Sequence, residues 1–325
     1  MKVAAHDLWA VCRALREERV VAVAIHENPD YDAIGAAVGV IDVLRQLGAE
    51  GRLYLDADVR LPQTDDLVPE GTVVRGLPPA GASLYAVDTG SFERMALAIE
   101  GWDGRVVNID HHPDNTRFGQ INLVRPGAAS TSEIICDVAG CLGLRPSPAA
   151  VAALYTGISF DSGHFRHAST TPHTLSCAAA LVRGGADPNL LYRRLYENKT
   201  LASLRLWARA VESAVVVGDG RAVVGMLTVA DYKATGADEN DTEGIVDALR
   251  AAQGIDAAAL IKEQIEGARV RVSLRSQHLD VGAIAALRGG GGHRNAAGFS
   301  SDDDPKEVAR WLSSELAGRP TTASS

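Results

Sequence analysis

A short apolar segment that ends abruptly in titratable residues constrains the fold of this chain more than any other feature of its sequence. Residues 106–109 are mostly β-branched, which favours a buried strand. Asp110, His111 and His112 follow at once, and Pro113 prevents the strand from continuing inside a sheet. Such an ending is typical of ligand sites in open α/β sheets. Taken alone, the motif is as compatible with a loop that happens to contain two histidines.

Strands and helices alternate through the first half of the sequence, which predicts an α/β domain with a parallel sheet and helices on both faces. Apolar runs predict strands at 20–25, 52–55, 84–87 and 106–109, whereas 56–79 is rich in Pro, Asp and Gly and is expected to be irregular. Apolar residues at helical spacing predict helices at 7–18, 33–47, 130–138, 148–158 and 172–182.

The second half predicts a smaller α/β domain. With 325 residues the chain is long enough for two domains. We predict an N-terminal domain at 1–187, a helical linker at 188–212, a C-terminal domain at 213–318 and a frayed tail at 319–325. Within the second domain, strands are expected at 214–217, 222–227, 257–261 and 270–274, and helices at 242–252, 280–287 and 308–316.

Composition excludes some classes of function. The net charge of −9 argues against a surface that binds long duplex nucleic acid without sequence specificity. No apolar run approaches the roughly 18 residues that span a bilayer, and the charged N-terminus does not resemble a signal peptide. We therefore expect a cytoplasmic protein with no membrane partner. The cysteines, which are Cys12, Cys136, Cys141 and Cys177, are interpreted as reduced thiols rather than disulfides or zinc ligands.

Four groups of ligand-type residues follow predicted strands or a predicted helix: His26 with Asp30 and Asp32, then Asp88, then Asp110 to His112, then Asp161. Mixed imidazole and carboxylate ligands suit Mn²⁺, Fe²⁺, Co²⁺ or Zn²⁺. The four aspartates outside the Asp-His-His triplet would balance the charge of two divalent ions, and without such ions they could not all stay ionised. Two adjacent metal ions favour hydrolysis of a phosphate ester. His6, His173 and His278 lie outside these groups and are interpreted as surface or packing residues.

These motifs, in this order, resemble the DHH phosphoesterase superfamily, which takes its name from the triplet seen here at Asp110. The first motif is H-E-N-P-D-Y-D-A-I-G from His26, the second A-V-D-T-G from Ala86, and the fourth F-D-S-G-H-F from Phe160. Near the C-terminus, G-G-G-G-H-R-N-A-A-G from Gly289 is similar to the signature of the DHH-associated substrate-binding domain. The resemblance spans about residues 20 to 300.

The resemblance implies two metal ions, most often Mn²⁺. One would be held by His26, Asp30 and Asp88, and the other by Asp32, His111 and Asp161, with Asp88 bridging the two. It further implies that His112 contacts the phosphate and protonates the leaving oxygen, while Asp110 orients an imidazole. Tyr31 stands where the family more often has a small residue, which leaves the ligand spacing intact but narrows the pocket.

The glycine run and a nearby arginine predict an anion site in the second domain. Gly290, Gly291 and Gly292 would let backbone N–H groups approach a phosphate closely, and His293 follows them. Arg275 ends a predicted strand, and its guanidinium suits bidentate phosphate binding. A flexible loop is the alternative reading of the glycine run by itself.

Within the superfamily, the two-domain layout resembles the NrnA-type oligoribonucleases and 3′-phosphoadenosine 5′-phosphate phosphatases. This resemblance predicts hydrolysis of short single-stranded RNA, of linear dinucleotides such as pGpG and pApA, and of nucleoside bisphosphates. The alternatives are a soluble cyclic di-AMP phosphodiesterase, a family II-like inorganic pyrophosphatase and a non-catalytic nucleotide-binding module. The last predicts loss of a metal ligand, and every ligand is present. A homodimer also stays open.

Overall fold

The computed structural model describes residues 2–62, 67–99, 101–197, 199–264 and 270–318, apart from the side chains of residues 2–5 and 293. The chain divides into two compact units, Met1–Leu195 and Tyr196–Ser325. This division falls inside the segment 188–212 that the sequence predicts as a linker. Among the described helices, none combines the length and the apolar character needed to cross a bilayer.

The first unit is built from alternating strands and helices. Its elements are α1 (Lys2–Glu17), β1 (Val20–Ala24), α2 (Tyr31–Gln46), β2 (Glu50–Leu55), β3 (Val73–Arg75), β4 (Ser83–Val87), β5 (Val106–Asp110), β6 (Ile121–Val124), α3 (Thr131–Cys141), α4 (Pro148–Asp161), α5 (Pro172–Arg183) and α6 (Pro188–Tyr196). The described strands form one parallel sheet in the order β3-β2-β1-β4-β5-β6.

The strand order reverses next to β1, because β2 and β3 extend the sheet on one side of it and β4 begins the other side. Ala24 pairs with Ala86, and Val87 pairs with Ile109, so the carboxyl ends of β1, β4 and β5 lie side by side. In open α/β sheets such a switch point is where ligands bind. The topology therefore brings together the polar residues that follow these three strands.

The two faces of this sheet are covered differently. Val21, Val23 and Ile25 of the β1 segment pack in the larger core beneath the helices. Ala22 and Ala24 point to the other face, where the cover comes from side chains of the segment after β4, including Met95, Leu97, Ile99 and Trp102. This segment contains a short 3₁₀-helix, Phe92–Arg94. The predicted α/β domain with a parallel sheet is confirmed, but the sequence predicted helices on both faces, whereas the described α-helices pack on one face and the segment after β4 covers the other.

The second unit is a mixed α/β layer structure. Its elements are α7 (Leu201–Glu212), β7 (Val215–Val217), β8 (Ala222–Leu227), α8 (Val229–Thr235), α9 (Ile245–Arg250), β9 (Ala257–Glu263), β10 (Val270–Ser276), α10 (Val281–Ala286), β11 (Gly291–His293), β12 (Ala296–Ser301) and α11 (Pro305–Gly318). The described strands pair in the order β11-β12-β10-β9-β8-β7, and only β8 and β9 are parallel. Separate apolar cores lie on the two faces of this sheet.

Several elements were not expected from the sequence. The segment 56–79 was predicted to be irregular, yet it contains β3, a short edge strand in which Val73 pairs with Leu53. The four-residue β6, the helix α8, and the glycine- and alanine-rich β11 and β12 were also missed. Glycine and alanine have low strand propensity, which is outweighed because β12 pairs with β10 and β11 pairs with β12. The glycine run is therefore partly strand rather than simply a loop.

Candidate active site

Residues from three strand ends and two helix ends form the candidate site of the first unit. His26 follows β1, Asp88 follows β4, and Asp110 ends β5 with His111 and His112 directly after it. Asp30 is the N-cap of α2, where its Oδ1 accepts hydrogen bonds from the N–H groups of Asp32 and Ala33. Asp161 is the last residue of α4. The structure thus brings together all six residues that the sequence suggests as metal ligands.

The first group of possible ligands is His26, Asp30 and Asp88. Nε2 of His26 lies 3.9 Å from Oδ1 of Asp30 and 3.6 Å from Oδ2 of Asp88. One ligand atom from each of the three residues lies within 4.8 Å of the others, which is close enough for a single cation to contact all three. His26 and Asp30 are both partly accessible, so the group is open to solvent on one side.

The second group is Asp32, His111 and Asp161, whose ligand atoms also lie within 4.8 Å of one another. Nε2 of His111 is 3.1 Å from Oδ2 of Asp161 and 3.6 Å from Oδ1 of Asp88. The two oxygens of Asp88 therefore face different histidines, Oδ2 facing His26 and Oδ1 facing His111. A carboxylate in this position can contact both groups.

Asp88 adopts an uncommon backbone conformation. Its φ of 53° lies in the left-handed region, which costs free energy for a residue other than glycine. Its N–H is nonetheless held by a 3.0 Å hydrogen bond to the carbonyl of Ile109. Conformations of this kind persist where the surroundings impose them, and here the turn aims the carboxylate between the two groups of possible ligands.

The buried carboxylates of the candidate site repel one another, so nearby positive charge would stabilise their ionised forms. Asp32 and Asp88 are fully buried. Burial, together with repulsion from Asp161, raises the pKa of Asp32 to about 7. Burial, together with repulsion from Asp32 and Asp30, raises the pKa of Asp88 well above its ordinary value. Divalent cations would remove this repulsion and keep all the carboxylates ionised, and the mixed His and Asp donors fit Mn²⁺ or a similar ion.

The N-terminus of α3 supplies hydrogen bonds that the sequence did not reveal. The N–H groups of Thr131 and Ser132 donate to Oδ2 and Oδ1 of Asp32 at 2.6 and 2.9 Å. The hydroxyl of Thr131 donates to Oδ1 of Asp88 at 2.9 Å. The sequence predicted a helix at 130–138 but not this role, because the hydrogen-bond partners lie far away in the sequence.

His112 is not a member of the first or the second group of possible ligands described above. It belongs to a chain of hydrogen bonds. Its Nδ1 lies 2.8 Å from Oδ1 of Asp110. The side-chain amide of Asn115 donates to the other oxygen of Asp110 at 2.6 Å and to Asn108 at 2.8 Å. Asn108 is a buried polar residue within the apolar strand β5, which is the one sequence signal that could have indicated this network.

The hydrogen bond with Asp110 raises the pKa of His112, although burial opposes the shift.

A separate interaction concerns Tyr31, whose ring packs edge-on against Phe160 with 5.3 Å between ring centroids. Phe160 immediately precedes Asp161, so Tyr31 lies beside the ligand cluster and limits space at its edge. This is the position at which the sequence departs from the family pattern.

In the second unit, Arg275 and the glycine run occupy the β10–β12 region. Nε of Arg275 lies 3.2 Å from Oδ1 of Asp247. A Cβ at Gly290 would meet the carbonyl oxygen of Gly298 at 2.3 Å, so close packing requires glycine there. A Cβ at Gly291 would meet no atom within 4 Å. The side chain of His293 lies outside the described part of the structure.

The fold and the site together are those of a hydrolase that acts on phosphate ester bonds. The family model described as the DHH family, N-terminal domain, matches residues 20–158, and the DHHA1 domain matches residues 220–315. A bifunctional oligoribonuclease and PAP phosphatase NrnA from Thermus thermophilus is 33% identical over 92% of this chain and 87% of its own length. The chain belongs to the DHH family of phosphoesterases.

Two further comparisons add detail. A cyclic-di-AMP phosphodiesterase GdpP from Geobacillus thermodenitrificans is 29% identical over 93% of this chain, but only 48% of that longer protein is matched. The crystal structure of an exopolyphosphatase-related protein from Bacteroides fragilis superposes with a TM-score of 0.85 over 96% of this chain and 95% of that one. At 21% identity, this likeness establishes the fold alone.

Proposed function

We propose that the protein hydrolyses short oligoribonucleotides, linear dinucleotides such as pGpG and pApA, and 3′-phosphoadenosine 5′-phosphate, with two divalent metal ions. The proposal rests on one observation. The two groups of possible ligands lie side by side, and Asp88 turns one carboxylate oxygen towards His26 of the first group and the other towards His111 of the second. The substrate class is taken from the Thermus relative, whose name describes an oligoribonuclease and PAP phosphatase and which is similar along nearly the whole chain.

The metal ligands in this proposal are two groups that share one residue. His26, Asp30 and Asp88 would hold one ion, and Asp32, His111 and Asp161 would hold the other, with Asp88 contacting both. When bound, two such ions supply Lewis acidity to the phosphate and an activated water near neutral pH. Mn²⁺ is the expected ion because it accepts this mixture of imidazole and carboxylate donors.

His112 would deliver a proton to the leaving oxygen. Asp110 engages Nδ1 of His112 and is itself fixed by Asn115, so the ring has one orientation and Nε2 is the nitrogen left for the substrate. The raised pKa of His112, caused chiefly by its hydrogen bond with Asp110, favours the imidazolium form that carries a proton on Nε2. General acid catalysis of this kind contributes on the order of 10²–10⁴-fold to a rate.

The second unit would bind the part of the substrate that does not react. Arg275 offers a guanidinium suited to a terminal phosphate, and Gly291 lets a phosphate approach the backbone without a side chain in the way. Gly290, Gly292 and His293 complete the proposed substrate-binding set. The net charge of −9 fits a local pocket for small anions and not a groove for long duplex nucleic acid.

A substrate panel tests the proposal. Metal-stripped protein is supplied with Mn²⁺ and assayed against pGpG, pApA, a longer oligoribonucleotide, the bisphosphate, cyclic di-AMP and pyrophosphate. The proposal predicts the highest kcat/KM for a linear dinucleotide or the bisphosphate. Preference for cyclic di-AMP would support the alternative suggested by the Geobacillus relative. Preference for pyrophosphate, or activity that survives complete metal removal, would contradict the proposal.

A further inference from the structure

A second cluster of metal-ligand side chains lies away from the candidate active site, between α3 and α5. It consists of Asp137, His173 and Cys177, and it is called the thiol–imidazole cluster below. Nε2 of His173 is 2.9 Å from Oδ1 of Asp137 and 3.6 Å from Sγ of Cys177. All three ligand atoms lie within 4.8 Å of one another. None of these residues belongs to the proposed catalytic groups.

The geometry suits one metal ion of the zinc type. His173 and Cys177 are four residues apart on α5, so they project from the same face of the helix. Around a tetrahedral ion with bonds of about 2.0–2.3 Å, ligand atoms are separated by roughly 3.3–3.7 Å. The observed separations of 2.9 and 3.6 Å are close to this range, so small side-chain rotations would complete the site.

The cluster can be reached from solvent. The side chain of His173 is 54% exposed and that of Asp137 is 21% exposed, whereas Cys177 lies beneath them and is buried. A hydrated ion could therefore approach from the His173 side and bind the sulfur last. The arrangement leaves a fourth position open on the exposed side for water or for a ligand from outside.

We propose that the protein binds Zn²⁺, or a similar thiophilic divalent ion, through Oδ1 of Asp137, Nε2 of His173 and Sγ of Cys177. One carboxylate, one imidazole and one thiolate form a donor set that zinc prefers and that Mg²⁺, Ca²⁺ and Mn²⁺ do not. This site differs in chemistry from the proposed catalytic groups, which contain only His and Asp residues. Binding the ion releases the proton of the Cys177 thiol.

Arg125 and Cys136 affect the ligand atoms of the thiol–imidazole cluster. Arg125 pairs with Oδ2 of Asp137 at 2.5 Å, which orients the carboxylate and leaves Oδ1 for an ion. The charge of Arg125 also opposes a cation and so limits affinity. A hydrogen bond involving Cys136 lowers the pKa of Cys177 against the opposing effect of burial, and His173 adds to the lowering. The thiolate is the form that binds metal.

A metal ion bound by the thiol–imidazole cluster would cross-link α3 and α5, because Asp137 lies on α3 and the other two ligands lie on α5. The two helices are already joined where the hydroxyl of Thr174 donates to Glu133 at 2.7 Å. The same helix α3 begins at Thr131, whose N–H and hydroxyl hold Asp32 and Asp88. The inferred site would therefore stabilise the helix that positions two proposed catalytic carboxylates, without taking part in the reaction.

Titration with Co²⁺ tests this inference, because a thiolate bound to Co²⁺ gives a near-ultraviolet charge-transfer band that His and Asp ligands do not give. Metal-stripped, reduced protein is titrated while this band is recorded. The wild type and Asp88→Asn should both show a saturable band whose final intensity corresponds to one cobalt–thiolate site per chain, whatever cobalt the catalytic groups also bind. Cys141→Ala, which removes another thiol of α3, should keep the band.

The band should vanish in Cys177→Ala, and His173→Gln should weaken the cobalt affinity by at least roughly tenfold. The exposed position of His173 makes the second variant informative even where the first one folds poorly. Zn²⁺ should raise the Tm of the wild type more than that of His173→Gln, while Mn²⁺-dependent hydrolysis stays the same in both. Absence of the band in the wild type, or its persistence in Cys177→Ala, would overturn the proposal.

Discussion

The backbone N–H of Thr131 lies 2.6 Å from Oδ2 of Asp32 and donates a hydrogen bond to it across ninety-nine residues of sequence. The N–H of Ser132 donates to the other oxygen, Oδ1, so the first turn of α3 binds both oxygens of the fully buried Asp32 carboxylate. A helix N-terminus carries partial positive charge, so it stabilises the ionised form. This contact joins α3 to α2 and fixes one member of the candidate site before any metal ion binds.

The hydroxyl of Thr131 should matter for catalysis, because it donates to Oδ1 of Asp88. Thr131→Val keeps the shape of the side chain and the backbone donor but removes this hydrogen bond. A hydrogen bond to a charged group contributes about 1.5–3 kcal/mol, so we expect kcat/KM with Mn²⁺ to fall by about ten- to a hundredfold. Thr131→Ser is the matched control and should stay near the wild type. Equal activity of the Val and Ser variants would contradict this role.

Metal removal should reveal two Mn²⁺ ions per chain. After chelation, calorimetric titration with Mn²⁺ is expected to give a stoichiometry of two and to restore activity. Asp88→Asn should weaken the binding of both ions, because the two oxygens of Asp88 lie near His26 of one group and His111 of the other. His112→Ala should keep both ions yet lose turnover by on the order of 10²-fold or more. Full activity at one equivalent, or equal metal loss in the two variants, would rule out this assignment.

Glycine at position 157 allows α4 to approach the candidate site. A Cβ there would meet Oγ of Ser132 at 2.2 Å and Oδ1 of Asp32 at 2.8 Å. Gly157→Ala should therefore destabilise the fold by about 1–3 kcal/mol and lower the affinity for Mn²⁺. Gly140→Ala in α3 is the control, since a Cβ there meets nothing within 4 Å and helical alanine is favoured. Denaturant unfolding and Mn²⁺ titration of both variants measure the difference.

Local patterns predicted the main strands and helices of the first unit, because each apolar run is long enough to indicate its own conformation. The same patterns placed His26, Asp88 and the Asp110 triplet at strand ends, and the structure brings those residues together. The roles of Thr131 and Asn115 were not predictable in this way. Each depends on hydrogen bonds to residues that only the folded chain brings near, and a threonine at a helix start indicates no more than a cap.

The second unit was predicted less completely for a related reason. β11 and β12 are rich in Gly and Ala, whose low strand propensity is outweighed because β12 pairs with β10 and β11 pairs with β12. The thiol–imidazole cluster was missed because His173 and Asp137 are far apart in sequence and neither belongs to a recognisable metal motif. In both cases the deciding contacts are between elements rather than within them.

The glycine run allows its structural and binding roles to be separated. Gly290→Ala should lower the Tm, because its Cβ would collide with Gly298 and Phe299 of β12. Gly291→Ala should leave the Tm near that of the wild type, because its Cβ meets no protein atom. If substrate phosphate approaches the backbone at Gly291, this second variant should nevertheless raise KM for pGpG. An unchanged KM would remove Gly291 from the proposed substrate site.

The last prediction concerns Arg275, whose guanidinium is paired with Asp247 and whose side chain is 35% exposed. Exposed ion pairs contribute at most about 1 kcal/mol, so loss of the pair alone should change stability little. Arg275→Ala should remove a charge-assisted phosphate contact worth roughly 1.5–3 kcal/mol. The expected loss in kcat/KM for pGpG is about ten- to a hundredfold, and it should appear mainly in KM if the contact is equal in the ground and transition states.

Two companion variants and a second substrate decide whether Arg275 binds substrate. Asp247→Asn removes the partner but keeps the guanidinium, so kcat/KM for pGpG should be unchanged or higher. Arg275→Lys keeps the charge but loses the bidentate geometry, so its activity should be intermediate. Pyrophosphate is small enough to be held by the catalytic groups alone, and its hydrolysis should not depend on Arg275. If Asp247→Asn lowers activity on pGpG as much as Arg275→Ala does, the ion pair supports the fold of the second unit and Arg275 does not bind substrate.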